Sequence, residues 1–394
     1  MTTLHTPSAS SLPNDINEIK KRIASIDILR GFVMLLMLVD HVRNRFFAHQ
    51  LITDPITINE TSTELFFTRM TAHICAPVFV FLTGISAWLY AHPHNKPHRS
   101  ASSFLLKRGL FIILIECTLI NFSWFGSYNI LYLQVMWAIG LSMIVLALMV
   151  KTHYWLIGIL GFLIIFGHNT LTPVSFSPDE FGYTLWTALH DRGYIVYEGM
   201  IKIEVVYPVL PWIGVILLGY FAGPLYARTV SSLLRQKVLL LSGIGAFLLL
   251  MLLRGFNVYG ETLDWHAGTS LIENIKLFVN YNKYPPSLHY LLLTLGTAWL
   301  ILYALENVDN KYSKVVECFG SAPMFFYIVH LYVLLASYNI AFSFFGANYG
   351  DVFAFHSVWQ LWAASVVLAF LLYFPTRSFT RFKQSTDKAW VKYF

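Results

Sequence analysis

The residues best placed to do chemistry lie in one apolar stretch, SIDILRGFVMLLMLVDHVRNRFFAHQ (residues 25–50), which carries Asp27, Arg30, Asp40 and His41. A charged side chain at mid-bilayer costs about 2.5 kcal/mol or more, so ionisable residues there are candidates for function. A neutral imidazole can take the proton of a hydroxyl or amine near neutral pH, or carry an acyl group itself. A guanidinium near a membrane surface offers donors to phosphate. Eleven residues separate Arg30 from His41. At about 100° per residue they lie within about 20° of one stripe, some 16.5 Å apart along the helix axis. That puts the cation near one surface and the imidazole near mid-depth.

Other polar groups fall inside apolar runs. Glu116 is well within FLLKRGLFIILIECTLINF and needs either a partner or a proton, as an ion pair or as part of a catalytic set. His330 and Tyr327 stand at i and i+3 in PMFFYIVH, as a second acid/base candidate or a satisfied core histidine. Asn121 and Gln134 add polar groups at depth, and His73 sits near the start of the second apolar run. The pair Lys107-Arg108, with Lys96 and Arg99, forms a basic collar that could hold a phosphate-bearing ligand or simply obey the positive-inside rule. Lys283 and Tyr284 open a proline-stiffened edge, KYPPS, and with Tyr327 are candidates for contacts to a second substrate.

Composition decides what positions these groups. The 394 residues are 56% hydrophobic and 12% charged, with 16% aromatics, which marks a polytopic membrane protein. The net charge of +6 is spread over loops and gives no nucleic-acid signal. Cys75, Cys117 and Cys318 sit singly, so neither a disulfide framework nor a metal site is expected. Apolar runs of spanning length fall at about 28–48, 70–91, 104–124, 130–150, 154–168, 205–226, 237–254, 287–305, 322–345 and 357–375. The expected fold is an all-α polytopic bundle of about ten transmembrane helices. With both termini cytoplasmic, the inside segments carry more than twice the Lys and Arg of the outside ones. Residues 1–24 read as a disordered cytoplasmic tail without a cleavable signal peptide, 25–376 as the membrane domain, and 377–394 as a basic cytoplasmic tail. Pro77 predicts a kink in the second helix, where Gly84, Ser86 and Ala87 permit close approach. The segments 49–69, 169–204 and 255–286 are long and aromatic enough to cap an external mouth.

The stretches SIDILRGFVMLLMLVDHV, VFVFLTGIS, FLLKRG, LQVMWAIG, LPWIGVILLGY, YPPSL and PMFFYIVH resemble bacterial relatives of the heparan-α-glucosaminide N-acetyltransferase catalytic domain. That family lies within the wider transmembrane acyltransferases, which include acyltransferase family three. The similarity runs from about Ile23 to about Phe374. It implies a multi-helix fold; the short loops and missing signal peptide lead us to expect a bacterial inner membrane. Such a fold passes an acetyl group from cytoplasmic acetyl-CoA, with no metal, to an extracytoplasmic amine or hydroxyl, a sugar in the named enzyme. By position, Arg30 and His41 match the first-helix motif, and Lys107 and Arg108 match the basic pair near the CoA phosphates. The wider group points to His41 as the catalytic histidine and the heparan enzyme to His49; His41 is the first choice, with His49 behind it. From the residues themselves, Asp40 or Glu116 is a candidate to orient the imidazole or hold its proton. A proton-coupled transporter or flippase using His41, Glu116 and His330 is the alternative; such proteins commonly show inverted repeats, and none is evident here.

Overall fold

A computed structural model describes residues 12–93 and 97–394; Lys96 of the basic collar, and the first eleven residues of the expected tail, lie outside them. The chain opens with α1 (Leu12–Phe46), whose first turns lie inside the segment expected as a tail. Next come α2 (Thr63–Thr71) and α3 (Cys75–Ala91), joined by the 3₁₀ turn Ala72–Ile74, then α4 (Ser102–Ile115), a π-helical turn Glu116–Ile120, and α5 (Asn121–Phe125). Strand β1 (Ile130–Leu133) precedes α6 (Val135–Met149), α7 (Tyr154–Gly167) and α8 (Tyr183–Leu189). Strands β2 (Gly193–Val196) and β3 (Lys202–Val205) lead into α9 (Leu210–Ala222) and α10 (Ser232–Gly255). The chain ends with α11 (Leu271–Val279), α12 (Leu288–Leu305), α13 (Lys311–Ser321), α14 (Pro323–Phe345) and α15 (Val358–Ser385).

Each of the ten apolar stretches contains a helix, although the fourth and the sixth begin in a strand. Six helical segments among the described residues are long and apolar enough to cross a membrane: Thr63–Ala91, Tyr154–Leu171, Ser232–Gly255, Leu288–Leu305, Pro323–Phe345 and Val358–Ser385. Their outward faces expose Leu163, Leu248, Val366 and Phe370, a surface suited to lipid rather than water. By contrast α9 is apolar on every side and buried from Pro211 to Tyr220, as a central helix should be.

Two expectations need correcting. The protein is not purely helical, because Ile130–Leu133, assigned to the fourth span, pairs parallel with Lys202–Val205 and carries β2 on the far edge. The Glu116 carboxylate takes the Met136 N–H at 3.0 Å, so α6 starts only at Val135 and frees the preceding residues for the sheet. The segment 377–385 is not a free tail either; α15 runs through Pro375 to Ser385.

Helix α1 is the axis of the bundle, packing on α3, α12, α13, α14 and α15. Its contact with α13 is backbone to backbone: a Cβ on Gly31 would lie 1.9 Å from the Val316 carbonyl oxygen, and one on Gly320 would lie 1.8 Å from that of Asp27. Only glycine at both positions lets the helices approach this closely. The kink expected at Pro77 is present as the 3₁₀ turn Ala72–Ile74. Proline has no N–H to bond the carbonyl four residues back, and the Tyr290 hydroxyl donates to that orphaned His73 oxygen at 2.6 Å. In this way α12 is fastened to the entrance of α3.

Candidate active site

A cavity of about 260 Å³ runs along α1. Its wall includes Arg30, Met34 and Met37, at i, i+4 and i+7, so it follows the stripe on which His41 is the next member. At the Arg30 end it is bordered by Arg108, Lys383 and Ser86; deeper, Met136 and Tyr327 close it. The Tyr327 ring stands edge-on to that of His41, with centroids 5.8 Å apart, so the cavity ends one side chain short of the imidazole.

The three cations are held differently. Arg30 donates to Asp27 at 2.5 Å, to Ser86 at 3.1 Å and to the Gly320 carbonyl at 3.2 Å, the last made possible by the glycine contact between α1 and α13. Lys383 donates to the Ser321 carbonyl at 3.1 Å. Arg108 keeps a buried Nε with no partner, and among the described residues neither Arg108 nor Lys383 is in an ion pair within 4 Å. Half-buried cations that border a cavity and have no carboxylate within 4 Å among the described residues suit an anionic guest such as phosphate.

Beyond the cavity, His41 Nδ1 lies 2.7 Å from His330 Nε2, the rings within 11° of parallel. His330 Nδ1 lies 2.8 Å from the Phe326 carbonyl, which can only accept, so that nitrogen carries the hydrogen. With both rings neutral, His330 Nε2 then accepts and His41 Nδ1 donates. The lone pair left over is on His41 Nε2, which has no hydrogen bond among the described residues. Trp124, edge-on at 5.0 Å, walls the imidazole on another side.

The remaining sequence candidates scatter. Lys107 is exposed and off the cavity wall, because consecutive helical residues point about 100° apart and only Arg108 can face inward. Asp40 does not orient His41: one carboxylate oxygen takes Arg43 at 2.9 Å and the other takes Arg69 at 2.7 Å. Glu116 caps α6 and makes no hydrogen bond to His41; its second oxygen is buried without a partner among the described residues. His49 lies past the end of α1, stacked on Tyr349 at 4.1 Å and lining a separate cavity of about 240 Å³ with Gln50 and Glu60. Burial and the nearby His356 hold its imidazole below its usual value.

Past His41, away from Arg30, the charges pair with one another. Arg69 bridges Asp40 and Asp54, and Asp54 also meets His73 Nε2 at 3.1 Å. Burial alone would raise the Asp54 carboxyl, but Arg69 and His73 hold it well below the ordinary range. Tyr284 shares a 3.3 Å hydrogen bond with Tyr207, and Lys283 sits over the Tyr284 ring at 5.3 Å.

Sequence reasoning missed Lys383, Ser86 and Met37 as cavity residues and Asp27 as the partner that fixes Arg30. A signal for Lys383 existed: Arg377, Arg381 and Lys383 continue a helix that has no breaker after Pro375. A comparison with curated protein sequences returns no match. The sequence model of the family "Heparan-alpha-glucosaminide N-acetyltransferase, catalytic" does match, over residues 22–254, which takes in α1 from residue 22 onward, Arg108 and the cavity wall as far as Met143. That is more than half of the chain, and the protein therefore belongs to the heparan-α-glucosaminide N-acetyltransferase catalytic-domain family of membrane acetyltransferases.

Proposed function

We propose that the protein moves an acetyl group from acetyl-CoA, entering at the Arg30 end, to an amine or hydroxyl that arrives from the opposite side of the membrane. Both termini are then cytoplasmic, and all ten apolar helices cross a bacterial inner membrane. The observation that carries this reading is the continuity of one stripe of α1: a cation-bordered cavity at Arg30, an apolar wall at Met34 and Met37, and then His41. The CoA phosphates meet Arg108, Lys383 and Arg30. An extended pantetheine arm covers about the 16.5 Å that eleven helical residues span.

In the reaction, His41 Nε2 takes the proton of the acceptor N–H or O–H as that atom attacks the thioester carbonyl. The new C–N or C–O bond forms, the C–S bond breaks, and the CoA thiolate takes the proton from His41. Tyr327, whose hydroxyl has no hydrogen bond among the described residues, donates to the carbonyl oxygen as negative charge develops there. His330 is a positioning residue that fixes the His41 tautomer. A proton-coupled transporter needs no acyl-CoA site. The decisive experiment is therefore a calorimetric titration of purified protein with acetyl-CoA, alongside transfer of radiolabelled acetyl to glucosamine. Saturable binding that survives His41→Ala, with transfer abolished, is expected; absence of binding rejects the reading.

A further inference from the structure

The chain beyond α15 does not hang free. Residues 386–394, which include the 3₁₀ turn Ala389–Tyr393, fold back onto the α1 cavity, where Phe394 shares the wall with Phe104, Arg108 and Lys383. Aromatic rings hold this strap down. Tyr393 packs on Phe104 and Phe111 of α4, with centroids 6.3 and 5.7 Å apart. Phe394 packs on the same Phe111 at 5.7 Å and on Phe379 of α15 at 6.1 Å. The backbone adds nothing to this hold. Among the described residues the strap's hydrogen bonds are internal: the Lys388 N–H to the Thr386 hydroxyl, Val391 N–H to the Lys388 carbonyl, and Phe394 N–H to that of Val391. A segment fastened by a few ring contacts, with no ladder to its neighbours, opens at little cost.

Size gives the strap a role. The cavity measures about 260 Å³, below the roughly 300–1,000 Å³ of sites that enclose a whole small molecule. It has room for the acyl-pantetheine arm of a CoA thioester but not for the nucleotide end as well. That end is left at the mouth, which Phe394 already occupies. We infer, on the reading of this cavity as the donor site, that residues 386–394 are an autoinhibitory strap. Docked, they narrow the donor entrance, and acetyl-CoA binds once the Tyr393 and Phe394 rings let go. The measured affinity is then the intrinsic one reduced by the fraction of molecules whose strap is open.

The test uses the full chain in detergent and two readouts: association kinetics of acetyl-CoA on immobilised protein, and tryptic cleavage after the exposed Lys388, followed by mass spectrometry. Tyr393→Ala/Phe394→Ala is expected to speed association and tighten binding by roughly fivefold or more, with dissociation little changed. Without ligand, that variant should be cut after Lys388 faster than the parent. Acetyl-CoA should speed the same cut in the parent, the reverse of the protection a bound ligand ordinarily gives. Phe394→Ala alone should move both readouts in the same direction by less, and it carries the test if the double variant does not fold. Equal association in parent and variants, weaker binding in the variants, or protection of Lys388 by acetyl-CoA overturns the strap and leaves the donor reading intact. Absence of binding to parent and variants alike sinks the donor reading, and the strap with it.

Discussion

The two ends of α1 carry similar numbers of cations and use them in opposite ways. At the Arg30 end, Arg108 and Lys383 face a cavity and, among the described residues, have no carboxylate within 4 Å. At the other end Arg43 and Arg69 are spent on Asp40 and Asp54, while Arg45 and Lys283 have no carboxylate within 4 Å among the described residues. Buried ion pairs satisfied within the protein hold helices and loops in register, whereas cations left open hold places for a guest. The difference separates scaffold from site without reference to sequence position. Asp40, next to His41 in the chain, is spent on Arg43 and Arg69, while His330, 289 residues away, is the residue that meets the His41 imidazole.

The comparison breaks most visibly at His41. If its free Nε2 is the base, His41→Ala should cut acetyl transfer by roughly 10²- to 10⁴-fold. Acetyl-CoA affinity and Tm should stay near those of the parent, as measured by initial rates, titration and melting. The scaffold side predicts the reverse. Arg69→Ala leaves Asp40 and Asp54 buried with half their partners and should cost about 3–5 kcal/mol of stability. A drop in Tm that carries activity down with it is the expected pattern; normal stability would move Arg69 out of the scaffold. His330→Phe removes the acceptor of the His41 Nδ1 hydrogen and should lower kcat by roughly 10- to 100-fold, as loss of an outer-shell partner does. The KM for acetyl-CoA should not change, and a KM effect would place His330 on the donor path.

What could be foreseen from the sequence follows from which relations are local. The Arg30–His41 stripe lies on one helix, where spacing alone fixes direction, and the cavity runs along it. All ten apolar stretches contain helices for the same reason. His330 stood out as a polar residue in PMFFYIVH, but its pairing with His41 is a tertiary fact that no single-chain period encodes. The sheet was missed because ILYL is as apolar as a helix entrance, and only pairing with Lys202–Val205 shows otherwise. Lys383 was lost to the rule that a basic C-terminal stretch is a tail, although α15 carries it to the cavity rim.

The smallest expected effects give the sharpest comparison, because they set neighbours against each other. Lys107 and Arg108 are adjacent, equally charged and equally near a membrane surface, so a general attraction for polyanionic CoA would weigh them alike. The helix turns them about 100° apart, and only Arg108 lines the cavity, with a buried Nε that has no partner. Arg108→Ala and Lys383→Ala should each raise the KM for acetyl-CoA about tenfold, the loss of one charge-assisted hydrogen bond worth about 1.4 kcal/mol. Lys107→Ala should change it less than about twofold, in line with an exposed charge screened by solvent. Equal effects at 107 and 108, seen in acetyl-CoA titrations at two ionic strengths, would mean that the long-range field gathers the donor. The cavity would then not be where its phosphates rest.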